Sequence, residues 1–154
     1  MDLVALFDRM KKIPAGKALF TKAVCLKAPY FSSISPRFED VRPGYVKVFM
    51  PKRHAVLNHL NTVHAIAMCN MAELAGGVMT DVTVPKSARW IPSGMTVKYL
   101  KKATTDLVAI ADGSHLDWSK RGEFVVPVKV FNTSNELVFS ADISMYVSDK
   151  PVKK

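Results

Sequence analysis

The sequence has 154 residues, 49% of them hydrophobic and 23% charged, the proportions of one globular domain with a substantial core and no room for a second. No segment joins a basic start to a long apolar run, and none approaches the roughly eighteen consecutive apolar residues of a membrane span, so neither secretion nor membrane insertion is expected. A formal net charge of +9 predicts a surface that attracts anions, but no Gly-aromatic strand motif, KH loop or recognition helix accompanies it, which ranks nucleic acid below a phosphate-bearing cofactor such as coenzyme A.

Asp2 is placed to cap a short helix at about 2–12, where Leu3, Val4, Leu6, Phe7 and Met10 follow helical spacing until Pro14 to Gly16 break it. Ala15 to Lys27 shows a second, weaker helical pattern, and Pro29, Ser32, Ser33, Ser35 and Pro36 suit an extended, interrupted segment. Tyr45 to Met50 is rich in β-branched and aromatic residues and reads as a strand that Pro51 ends. His64 to Met79 has helical composition with almost no polar face, so it is expected to be buried on most sides. Four strand-like stretches follow, near Ala88 to Leu100, Thr105 to Ala111, Gly122 to Phe131 and Glu136 to Val147, with a hairpin turn at Asn132 to Asn135. Cys25 and Cys69 have apolar neighbours and no metal-site spacing, which reads as reduced core thiols in a cytoplasmic setting. One buried helix followed by antiparallel strands predicts a single α+β domain over 1–154, a curved sheet wrapped around that helix.

Within the apolar helix the polar exceptions are His64 at its start, Asn70, and Glu73 near its middle. A buried carboxylate without a partner is disfavoured in its charged form, so Glu73 is either a functional acid or base or half of a structural ion pair. Nine residues at about 100° each put His64 and Glu73 on opposite sides of the helix, and they cannot easily share one site within one chain. Two such helices facing each other across a two-fold axis would form two composite sites, so catalysis here argues for a dimer.

The run Asn58-His59-Leu60-Asn61-Thr62-Val63-His64, with Glu73 nine residues on, resembles the motif of hotdog-fold thioesterases of the phenylacetate-pathway type. Ala28-Pro29-Tyr30-Phe31, Pro43-Gly44 and Met95 to Leu100 extend a looser likeness to a less characterised bacterial branch of that superfamily. The resemblance implies a hotdog fold, a homodimer that could pair into a tetramer, and hydrolysis of acyl-CoA or another acyl thioester without cofactor or metal. It implies that Asn58 orients the attacking water or the thioester, and that the backbone N–H groups of His64 and Ala65 polarise the thioester carbonyl. Glu73 of the partner subunit would act as base or nucleophile, His64 would be a third catalytic residue and Ser93 would position the water. Donors at a helix start suit that duty, because unpaired N–H groups and the helix dipole both stabilise a developing oxyanion. Two departures stand out: many relatives carry Gly-Gly where this chain has Ala65-Ile66, and Asp where it has Glu73. The excess of cations points to Arg89, Lys101 or Lys102 as contacts for coenzyme A phosphates. The alternative function is a non-catalytic hotdog protein that binds or senses acyl-CoA.

Overall fold

The computed structural model describes residues 2–151. Two helices open the chain, α1 (Leu3–Met10) and α2 (Gly16–Lys27). The Asp2 carboxylate accepts the Ala5 N–H at 3.0 Å and closes the start of α1 as predicted. Phe7, Phe20 and Phe38 then stack edge to face, with centroids 5.0 and 5.3 Å apart, and this chain of rings ties both helices to the first strand. The segment expected to be extended is instead a 3-10 turn, Pro29–Ile34. Proline suits its first position, where no N–H is needed, and Ser32 Oγ donates back to the Pro29 carbonyl at 2.6 Å.

Six strands form one antiparallel sheet: β1 (Arg37–Arg42), β2 (Tyr45–Met50), β3 (Ala88–Tyr99), β4 (Leu107–Asp112), β5 (Gly122–Phe131) and β6 (Leu137–Asp149), in the spatial order β1-β2-β4-β5-β6-β3. The sequence did not announce β1. A bulge between Phe38 and Asp40 breaks its two-residue alternation, so its buried residues Phe38 and Val41 stand three apart with charges between them.

The long helix α3 (Ala65–Thr83) packs against every strand of the sheet. It runs four residues past the expected end because Thr80 Oγ1 donates to the Gly76 carbonyl at 2.8 Å and Thr83 Oγ1 to that of Met79. Val84 then turns extended ahead of Pro85, which stops the helix. Met71, Leu74 and Met79 are fully buried on its sheet side, each worth about 1.5–3 kcal/mol relative to exposure. Gly76 lets the backbone approach: a Cβ there would come within 2.9 Å of Ile143 Cδ1. No helix among the described residues is long and apolar enough to cross a membrane.

Two features of this architecture prepare the site. The helix is not buried all round, since Ile66, Glu73 and Asp81 lie exposed along one strip, and the expectation of a buried Glu73 is corrected accordingly. The strand β3 is an edge that pairs with β6 alone, and a bulge at Ser93 switches which of its residues face inward. Before the bulge Ala88 and Trp90 stand opposite Asp149 and Val147, and after it Met95, Val97 and Tyr99 stand opposite Ile143, Ala141 and Phe139.

Placing valine at position 76 should force Ile143 and Val128 apart. Despite the better helix propensity of valine, Gly76→Val is expected to lower stability by about 1–3 kcal/mol, read as a lower thermal midpoint than that of the unaltered protein.

Candidate active site

The loop before α3 is built on Asn58. Its Oδ1 accepts the N–H groups of Leu60 and Thr62 at 2.9 and 3.2 Å, and its Nδ2 donates to Thr62 Oγ1 at 2.9 Å. The base of the loop is closed by a bridge between Leu57 and Val63, by Val63 N–H on the Ala103 carbonyl and by His64 N–H on the Val56 carbonyl, both at 2.8 Å. Asn58 therefore holds the loop together, with a single amide N–H left over for any other duty.

His64 is the N-cap of α3. Its Nδ1 accepts the Ile66 N–H at 3.0 Å, and its carbonyl accepts the Met68 N–H. Of the two backbone donors implied by the resemblance, the His64 N–H is thus engaged with Val56. The Ala65 N–H, and that of Ala67, meet no acceptor among the described residues. Ile66 projects beside them with 56% of its surface exposed.

Eight residues further on, about 12 Å along the axis, the exposed Glu73 enters no ion pair among the described residues. That separation is too great for Ala65 and Glu73 of one chain to serve one carbonyl carbon. One turn before Glu73 on the same face is Cys69, whose Sγ lies 3.5 Å from the Tyr99 hydroxyl. Cys69 is consequently not a core thiol but a half-buried one at the seam between α3 and β3, and Cys25 is likewise only partly buried. The bond from the phenol to this sulfur, followed by burial, holds Tyr99 above its ordinary titration range. Met95 and Tyr99, on the row of β3 that follows the bulge, are 38% and 52% exposed, and Tyr99 meets the helix at Cys69.

The remaining predicted residues are dispersed. Ser93 sits on the β3 bulge and its Oγ donates to the Ser144 carbonyl at 3.3 Å. Arg89 begins β3, whereas Lys101 and Lys102 follow its end, so within one chain they stand roughly 35 Å apart and cannot hold one phosphate group. Lys101 is moreover 2.7 Å from Glu136. The sequence reading missed the contact of Tyr99 with Cys69, one turn before Glu73. The signal was the two-residue alternation of β3, but it is legible only once the one-residue shift at Ser93 is known. Among the described residues no group of three or more metal-ligating side chains converges.

Residues 16–147 match the family model described as Domain of unknown function (DUF4442). Among solved structures the chain is similar to a structural-genomics target protein, at 49% identity over 96% of this chain and 99% of that one, with a TM-score of 0.87. It is also similar to a probable thioesterase from Pseudomonas aeruginosa, with 21% identity, a TM-score of 0.71, and 79% and 88% of the two chains covered. A thioesterase from Haemophilus influenzae gives 14% identity, a TM-score of 0.70, and coverage of 78% and 82%. These likenesses show the hotdog fold, a curved antiparallel sheet around one long helix. No curated protein matches the sequence.

The seam between helix and strand can be tested by titration. Because the bond to sulfur favours the protonated phenol, Cys69→Ala should bring the titration of Tyr99 down towards the ordinary value of about 10. Ultraviolet difference spectra or tyrosine-labelled magnetic resonance would follow it, and an unchanged curve would show that the sulfur does not set it.

Proposed function

We propose, from the premise that the chain belongs to the DUF4442 family and has the fold of thioesterase-like hotdog proteins, that it is an acyl-CoA thioesterase working as a homodimer. The observation that carries this reading is the layout of α3: free N–H donors at its start and an open carboxylate about 12 Å along it, on a strip that its own sheet leaves uncovered. A second copy can bring the two halves together. The unpaired edge of β3 offers the means, since two such strands can join antiparallel across a two-fold axis. The same pairing would lay the start of one β3 beside the end of the other. Arg89 of one subunit would then stand near Lys101 and Lys102 of the partner subunit, reuniting across the axis a cationic group that one chain keeps apart.

In the proposed reaction Glu73 takes a proton from water as the water oxygen attacks the thioester carbonyl carbon. The resulting oxyanion is held by the Ala65 N–H of the partner subunit, at the positive end of that helix. When the carbon–sulfur bond breaks, the proton on Glu73 passes to the departing thiolate, and acid and free thiol leave. Asn58 shapes the loop that presents the Ala65 donor, and His64 fixes the first turn. Ile66, where many relatives have glycine, narrows the approach to that donor and favours a slim acyl group next to the carbonyl.

The isosteric change Glu73→Gln keeps the volume and removes the base. Turnover of acyl-CoA, read as thiol release, is expected to fall about a hundredfold to ten-thousandfold with the Michaelis constant largely kept. The thermal midpoint should not move, because this exposed carboxylate has no ionic partner among the described residues to strand. Full turnover by the folded variant, or full activity in a strictly monomeric protein, would overturn the composite site.

A further inference from the structure

The outer face of the sheet, turned away from α3, has a pattern of its own. Along β5 the alternation is regular: Phe124, Val126 and Val128 are buried, while Glu123, Val125 and Lys129 point the other way and are exposed, with Pro127 half-buried between the last two. On β6 Tyr146 stands opposite Glu123 and Ser144 opposite Val125, and on β3 Ile91 stands opposite Tyr146. Ile91, Val125 and Tyr146 are 62%, 51% and 50% exposed. As cross-strand and diagonal neighbours they make one apolar patch over three adjoining strands, the kind of surface that marks an interaction site.

The charges around the patch decide what it fits. The outward row of β5 runs acid, apolar, apolar, base, from Glu123 through Val125 and Pro127 to Lys129, and neither charged residue enters an ion pair among the described residues. Reversed end for end, such a row is its own complement. A second copy laid outer face to outer face, with strands antiparallel about a two-fold axis crossing β5 at Val126, sets Glu123 over Lys129 of the partner subunit, and the symmetry makes that contact twice. The two residues are six apart, about 20 Å along the strand, so each lies about 10 Å from the axis. Packed sheets cross at about 30°, which moves a point that far out by about 5 Å sideways, within reach of a lysine side chain. Strands laid parallel would instead put Glu123 on Glu123 and Lys129 on Lys129, where like charges repel. The antiparallel register also brings Asp142, opposite Pro127, over the partner subunit's Ser144, whose hydroxyl can donate to the carboxylate.

We infer that the outer face of β5, β6 and β3 is an interface between two copies of this chain, in the antiparallel register that pairs Glu123 with the partner subunit's Lys129. It is distinct from the β3 edge, because that edge extends one sheet sideways whereas this face stacks two sheets. Used together the two surfaces would assemble four chains. The face depends neither on pairing of the edges nor on hydrolysis of any thioester.

Charge reversal in the full chain tests it, with the mass from sedimentation equilibrium at micromolar concentration as the readout. Glu123→Lys creates two like-charged contacts across the axis and should halve the mass, and Lys129→Glu should do the same. The double variant Glu123→Lys/Lys129→Glu restores opposite charges at the same places and should return the mass to that of the unaltered protein. With the β3 edges also paired the fall is from four chains to two, and without them from two to one, so failure of the proposed edge dimer is read separately. Both side chains are exposed and without an ionic partner among the described residues, so the single variants should keep their fold, which circular dichroism checks. A mass that neither single variant changes would overturn the interface. Halving in the single variants without recovery in the double variant would overturn the antiparallel register.

Discussion

The architecture turns on one constraint: a nineteen-residue helix, apolar at all but five positions, must have most of its surface kept from water. Antiparallel strands alone would give a flat surface that covers one side of such a helix. Here the sheet bends far enough for all six strands to reach α3, and Val46, Val48, Ala109, Val128 and Ile143 supply its lining. Small residues on the helix side make the closeness possible, with Gly76 against Ile143 and Gly77 under the Trp90 ring. Interiors this tightly packed do not tolerate added volume, which is why the helix carries glycine in places where propensity alone would choose alanine.

What the wrap leaves uncovered is as informative as what it hides. The sheet ends at β3, and beyond that edge the helix shows Ile66, Cys69, Glu73 and Asp81 in a strip. An edge strand twelve residues long, with apolar side chains beside an exposed carboxylate, is a surface that natural proteins rarely leave unpartnered. The Cys69–Tyr99 contact pins the end of this strand to the helix, and Trp90 bonding to Asp81 pins its beginning.

Much of this could be read from the sequence. The helix, its start at His64 and the strand Tyr45–Met50 follow from composition and from proline and capping signals that act locally. Glu73 stood out because a carboxylate amid Met, Ala and Leu asks for an account. The account itself needed coordinates, for burial depends on how far a sheet wraps, and that is a property of distant strands. The strand β1 and the inner row of β3 escaped for one shared reason: a single inserted residue, at Glu39 and at Ser93, shifts the phase of a period-two pattern and makes each half contradict the other. Arg89 and the Lys101–Lys102 pair stand at opposite ends of the strand that the sequence itself announced over Ala88 to Leu100, so its length already keeps them apart within one chain.

The axial gap between Ala65 and Glu73 has a genetic consequence in a dimer of the proposed kind. Each chain would lend its helix start to one site and its carboxylate to the other. A chain lacking the carboxylate, mixed with a chain whose helix start is blocked, would rebuild one whole site out of two inactive parents. A chain carrying both lesions would instead disable both sites of any normal partner it joins. Complementation and dominance would thus be opposite faces of a single distance along one helix.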